Sequence, residues 1–293
     1  MAGGLGVGRL PSFYPEGIIP FHGRFVQYDD HMGSEKTPMP APDTRSFTVG
    51  SSEFLIAPNH GFRLMQWTVS ASTGRREILY WPGQTEGTPF SKIRGGNPLL
   101  FPFCGRSFDS GLEDHWRPKS GKRLPMPRHG FARDGTFEVV SQTDASMRAR
   151  LIPSETAREA YPFTYAFTVE YLFEELAFTV RMELKNEGRE PIPWSAGHHF
   201  YFKLPWHSSA RRKDYRLNME ARKCAYHGPD GKLVMEKDRE SCHDLSDAAL
   251  LDRIHWQLRH NRIAFGPRSG EEDVHIVIGD DPVPPKGCAR VTW

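Results

Sequence analysis

Cysteine is scarce: Cys104, Cys224, Cys242 and Cys288 are the four in 293 residues. They form no C-x-x-C pair and no dense framework. That excludes a disulfide-stapled secreted scaffold, argues against structural zinc, and reads as four free thiols in a reducing compartment. Residues 1–45 hold no apolar run of the length a membrane span or signal peptide needs, so a cytoplasmic location without a membrane partner is expected. Charge of one sign is not in excess either. Lys plus Arg number 38 against Asp plus Glu 36, a net +2, which makes no case for nucleic acid and leaves any anion site a local feature. No G-x-G-x-x-G opens a helix, no G-x-x-x-x-G-K-[ST] occurs, and no repeat or low-complexity segment is visible, so neither a nucleotide loop nor a solenoid is expected.

Helical periodicity is also rare, and what stands in its place is a series of short apolar runs punctuated by turns. From Phe47 these are Phe47–Val49, Phe54–Ala57, Gly61–Val69, Thr136–Ser141, Ser146–Ile152, Phe163–Leu172, Leu176–Lys185, Ile192–Ala196, Tyr215–Met219, Arg262–Phe265 and Val274–Ile278. The alternation in Gly61–Val69 suits a half-buried strand. Thr164–Leu172 and Leu176–Lys185, joined across Phe173-Glu174-Glu175, read as an antiparallel hairpin. Only Glu155–Ala160 and Ser246–Leu251 read as helical turns, the second with Ser246 as N-cap. The fold class is therefore all-β, a large antiparallel β-sandwich with few short helices. Residues 1–45 hold many Gly and Pro, yet Phe13, Tyr14, Ile18, Ile19, Phe21, Phe25 and Tyr28 are too apolar for a disordered tail. They read as an irregular N-terminal arm packed on a single domain of residues 46–293.

Three polar, glycine-broken stretches interrupt the strands. Met126-Pro127-Arg128-His129-Gly130-Phe131-Ala132-Arg133 places a histidine between two arginines, more than a tight turn requires. Arg94-Gly95-Gly96-Asn97-Pro98-Leu99-Leu100-Phe101-Pro102-Phe103-Cys104-Gly105 and Gly197-His198-His199-Phe200-Tyr201-Phe202-Lys203-Leu204-Pro205 are the others. Their order resembles the aldose 1-epimerase, or galactose mutarotase-like, superfamily. The Arg-Gly-Gly opening and the Ala-Arg ending lean toward its glucose-6-phosphate 1-epimerase branch, and Leu251-Asp252-Arg253-Ile254 is a weaker fourth match.

The resemblance implies a galactose mutarotase-like supersandwich that interconverts the α and β anomers of a hexose or hexose-6-phosphate. Its partner would be a small sugar or sugar phosphate, and no cofactor would be needed. Such a reaction takes a proton from the anomeric hydroxyl and gives one to the ring oxygen, so it calls for groups that titrate near neutrality. By resemblance, His199 is the acid at the ring oxygen and His129 holds the opening sugar. Arg94 and Arg133 present guanidinium forks suited to phosphate or vicinal hydroxyls, and Asp252 accepts from adjacent hydroxyls. Each has a plainer reading: a packed strand histidine for His199, rim ion pairs for the arginines, a bridge to Arg253 or a helix cap for Asp252. His198 should face away from His199. Phe101, Phe103, Phe131, Tyr201 and Trp206 are candidate sugar-facing aromatics, most of them better read as core. Gly95-Gly96 reads as a close backbone approach or a positive-φ turn. A histidine-ligated metal is disfavoured by the accompanying arginines, so the metal set is empty.

One part of the family pattern is missing. The family's base is a glutamate on a strand near the C-terminus; Arg290-Val291-Thr292-Trp293 resembles the strand leading to it, and the glutamate itself has no matching position. Glu271, Glu272, Asp280 and Asp281 are the nearest acids, and none is assigned as base. The alternative function is therefore a catalytically impaired sugar-binding protein on the same fold, from a shortened chain or one whose base comes from elsewhere.

Overall fold

The inward face of Tyr165–Glu174 carries Phe167, Val169, Tyr171 and Phe173, every second residue, each at most 4% exposed. That period of two makes the strand a wall of the core. It pairs with Ala177–Asn186 over its whole length, from Tyr165 against Asn186 to Glu174 against Ala177, so Glu175-Leu176 forms a two-residue turn. The expected hairpin is present, but Phe173 belongs to the strand rather than the turn because its ring is buried against Phe54 and Phe47.

The computed structural model describes residues 43–292 apart from 73, 86, 120, 207–209, 228–232, 238–241, 269–274, 280–283 and 285–286. Residues 1–42 of the expected arm, and Glu271, Glu272, Asp280 and Asp281, lie outside the described residues. The described chain divides into two compact units, 43–203 and 204–292.

The first unit is the expected antiparallel sandwich. One sheet orders Arg45–Val49, Ser52–Ala57, Arg63–Ala71 and Gly74–Glu77; the other orders Thr136–Thr143, Ser146–Ile152, Tyr165–Glu174 and Ala177–Asn186. A single apolar cluster fills the space between them, with Phe54, Ile56, Phe62 and Leu64 from one side meeting Phe137, Met147, Leu151, Phe167 and Tyr171 from the other. The strand Arg63–Ala71 departs from simple alternation. A bulge sets Leu55 against Gln66 and Ile56 against Leu64, leaving Met65 over. Leu64 joins the main core, while Met65 joins Ala57, Phe90 and Ile93 in a second cluster. That second cluster seats the 3-10 turn Phe90–Lys92 just ahead of Arg94.

Two other expectations need correcting. Ile192–Ala196 forms no ladder, since Pro191 and Pro193 cannot donate to one. The segment is held instead by Tyr161 Oη donating to Pro193 O at 2.7 Å and Ser195 N–H donating to Pro102 O at 2.7 Å. The one α-helix among the described residues is Glu155–Ala160, with Ser154 as N-cap accepting from Ala157 N.

In the second unit one sheet orders Cys242–Asp244, Tyr215–Asn218, Ile263–Pro267 and Ile276–Ile278, and another Leu233–Lys237, Ala221–His227, Arg253–Leu258 and Ala289–Thr292. The helical turn here is Ala248–Leu250, and its N-cap is Asp247, which accepts from Ala249 N at 2.8 Å. Ser246 is not the cap: its N–H and hydroxyl both donate to Asp244 Oδ1. No helix among the described residues is long and apolar enough to cross a membrane.

Candidate active site

The three polar stretches are stitched together by backbone hydrogen bonds, with 94–105 in the middle. On one side Asn97 N donates to Leu64 O at 2.8 Å, tying the Arg94 loop to the central strand. Gly96, at φ 66°, makes this possible, because a Cβ there would lie 2.3 Å from Leu64 O. On the next side Leu99–Leu100 pairs with Gly197–His198, His199 N donates to Pro98 O, and Tyr201 N donates to Gly96 O. On the last, Phe101 O accepts from both Phe131 N and Ala132 N. Gly130, at φ 71°, crosses so close that a Cβ would sit 2.1 Å from that same oxygen. The Phe101 ring, fully buried, stacks on Phe167 at 4.0 Å and 7°. The carbonyl that receives the histidine loop is thus anchored in the core.

This arrangement brings the two motif histidines together. The rings of His129 and His199 are 5.2 Å apart at 78°, and Tyr201 lies 5.0 Å beyond His199. His129 itself is at φ 68°, uncommon for a side chain with a Cβ. Its N–H donates to Gly105 O at 2.7 Å, and Gly105 N–H donates back to its Nδ1 at 3.1 Å. An Nδ1 that accepts carries no proton, so His129 is a neutral imidazole with its hydrogen on Nε2. Electrostatics agree. Burial first, then the neighbouring His199, Arg133, Arg128 and Arg106, push its pKa down to about 3. Burial also lowers His199, helped by Arg133, Arg63 and Arg128 and opposed by its own backbone carbonyl.

Arg94 is exposed, and its charge acts on Tyr201, whose hydroxyl burial pushes up. Arg133 sits in the 3-10 turn Ala132–Asp134 and pairs with Asp134, Nε to Oδ2 at 3.5 Å. A rim ion pair is therefore part of the answer for Arg133. His198 is exposed and turned the other way, its ring on Phe200 and its Nδ1 3.2 Å from Asn97 Nδ2. Of the aromatics, Phe101 is core; Phe103 and Phe131 pack on Tyr161; Tyr201 stands beside His199. Trp206 packs on Tyr215 and Phe265 within the second unit. Asp252 is in that unit too, exposed in a turn at φ 50°. Its neighbour Arg253 donates to Glu236 and to Cys224 Sγ.

A groove of about 370 Å³ opens on the Arg94 side, lined by Tyr80, Gln84, Thr85, Thr88, Lys92 and Arg94 among others. Neither imidazole lines it.

Two site residues are missed by motif reading. Asn97, fully buried, accepts from His199 N with Oδ1 at 3.2 Å while its Nδ2 meets His198, so it sets both histidines. Arg63, 1% exposed, donates Nη1 to Ile93 O and Nη2 to Arg133 O. The signal for Arg63 was available: a charged residue heading an apolar strand.

The site is thus a pair of half-buried imidazoles among arginines on an antiparallel β-sandwich, a fold of the galactose mutarotase-like kind. The chain belongs to the aldose 1-epimerase family, whose model it matches over residues 54–254. Among solved structures it is similar to the Slr1438 protein of Synechocystis sp. PCC 6803, at 24% identity and TM-score 0.61 over 80% of this chain and 76% of that one. It is also similar to a galactose mutarotase related enzyme of Lactobacillus acidophilus, at 22% identity and TM-score 0.63 over 77% and 74%. A galactose mutarotase-like protein of Lactobacillus casei ATCC 334 follows, at 20% identity and TM-score 0.60 over 84% and 85%. At these identities the likeness establishes the fold. No curated protein matches the chain.

Proposed function

We propose that this protein is a cytoplasmic, cofactor-independent 1-epimerase that interconverts the α and β anomers of a hexose or, by the lean of its motifs, a hexose-6-phosphate. The observation that carries the reading is the 5.2 Å approach of His129 and His199 in a chain of the aldose 1-epimerase family. His199 gives a proton to the ring oxygen as the C1–O5 bond opens, while solvent water takes the proton of the anomeric hydroxyl; on reclosure both protons return. His129, neutral with Nε2–H outward, donates to a sugar oxygen throughout. Arg94 and Arg133 hold phosphate or hydroxyls, and Asp252 keeps its role as a hydroxyl acceptor on the resemblance alone.

The arginine environment favours an anionic substrate. Burial and Arg133, Arg63 and Arg128 hold His199 neutral in the free protein, which makes its imidazolium a strong but scarce acid. A phosphate on Arg133 offsets part of that charge and makes protonation easier. Polarimetry on fresh α-glucose and α-glucose-6-phosphate tests this: mutarotation should accelerate for both and more for the phosphate. Equal rates would remove the phosphate preference, and no acceleration of either would remove the epimerase reading.

A second reading, sugar binding without turnover, has one observation in its favour. The charges that act on the two imidazoles are arginines, and no carboxylate among the described residues is prominent beside them. Retained sugar binding with no acceleration would select it.

A further inference from the structure

We propose that Arg63, though wholly buried, is a positioning residue that fixes the separation of Arg94 and Arg133 by bridging the backbone of their two loops. The proposal rests on reading those two arginines as substrate contacts. Arg63 heads the strand Arg63–Ala71 and is 1% exposed. Its Nη1 donates to Ile93 O at 3.0 Å, the carbonyl just before Arg94, and its Nη2 donates to the carbonyl of Arg133 itself at 3.3 Å. The two carbonyls are far apart in sequence, so one guanidinium sets the gap between two otherwise separate loops.

The surroundings fit a strut better than a filler. A filler here would be apolar, since burying a guanidinium carries a desolvation cost that an apolar chain avoids. That cost is visible: burial pulls the Arg63 pKa down to about 10. No carboxylate among the described residues lies within ion-pair distance to offset it, and the buried Nε has no hydrogen-bond partner. What Arg63 does make are the two carbonyl bonds and a cation–π contact, its guanidinium carbon 4.5 Å from the centre of Phe90. Phe90 begins the turn that leads into Arg94. A planar fork reaches two acceptors at once in a fixed geometry, and a lysine ammonium on a flexible stem does not. The same strand entry also presses on the Arg133 side through Gly61. Its N–H donates to Gly135 O at 2.8 Å, and a Cβ on it would fall 2.1 Å from Arg133 O.

Hydrogen exchange on the full-length protein, comparing wild type with Arg63→Lys and Arg63→Met, decides the structural half of the proposal without needing activity. Amides of residues 94–97 and 130–135 should exchange about tenfold faster or more in both variants, while Tyr165–Glu174 and Ala177–Asn186 keep their protection. Unchanged loops, or a uniform loss across the sandwich, overturn it; if Arg63→Met does not fold, Arg63→Lys carries the test. For the functional half, Arg63→Lys should raise KM for glucose-6-phosphate roughly tenfold with kcat nearly kept, and adding it to Arg94→Ala should cost little more than Arg94→Ala alone. A wild-type KM in Arg63→Lys, or full additivity, contradicts positioning. A wild type that neither binds nor converts the sugar phosphate defeats the functional reading and leaves the exchange result standing.

Discussion

His129 has two demands on it that pull in one direction. Its Nδ1 must accept from Gly105, and its charged form must be avoided among Arg106, Arg128 and Arg133. Its pKa is about 6.5 in the unfolded chain and is lowered to about 3 in the folded protein. Between those values the unfolded chain binds the extra proton, so stability is complete above about pH 6.5 and falls as pH drops toward 3. Denaturation midpoints between pH 7 and 4 should therefore fall more steeply for wild type than for His129→Asn, a replacement that tolerates positive φ. Parallel curves would show that His129 does not remain neutral. Arg94 gives a second residue-scale expectation. Arg94→Ala should weaken glucose-6-phosphate binding roughly tenfold or more, with glucose changed by less than about twofold; equal losses would make it a hydroxyl contact. The sequence showed both of these residues, because charged or titratable groups in a glycine-broken loop have few structural uses. It hid Asn97 and Arg63, since what they do depends on which backbone carbonyl or amide the fold puts opposite them.

At the scale of elements, the site depends on how closely backbones pass. Gly130 lies against Phe101 O, and Gly96 against Leu64 O. Gly130→Ala would force both a positive φ and a collision with main chain that cannot rotate away. It should cost about 2–4 kcal/mol in chemical denaturation and loosen the His129 loop. A loss below about 0.5 kcal/mol would mean the crossing has slack. Strand runs were legible from alternation, as in Ser146–Ile152, where the expected and observed bounds coincide. The misses have physical causes. Ile192–Ala196 has the composition of a strand but prolines that cannot pair. Arg63–Ala71 loses its alternation at the start, because a bulge at Met65 sends Leu64 and Met65 into two clusters. The cap at Ala248–Leu250 shifted from Ser246 to Asp247 because Ser246 already serves Asp244.

For the whole molecule, a net charge of +2 is a near-balance that conceals a local excess: the arginines crowd around the two imidazoles. The assignment of Asp252 as a hydroxyl acceptor is tested by substitution. Asp252→Asn should weaken glucose and glucose-6-phosphate alike, and unchanged dissociation constants for both would remove Asp252 from the sugar contacts. The β class was legible from the repeated short apolar runs, whereas the division into two units was not, because it depends on which strands pair rather than on where they occur.

The central claim is that the imidazole of His199 moves the proton that opens the sugar. Two-dimensional exchange NMR on equilibrated glucose-6-phosphate measures α-to-β conversion directly, for wild type and for His199→Ala at matched ligand saturation. The account predicts exchange well above the spontaneous rate with wild type, and a loss of at least about 10²-fold in the variant with binding retained. Exchange that persists undiminished in His199→Ala would contradict it.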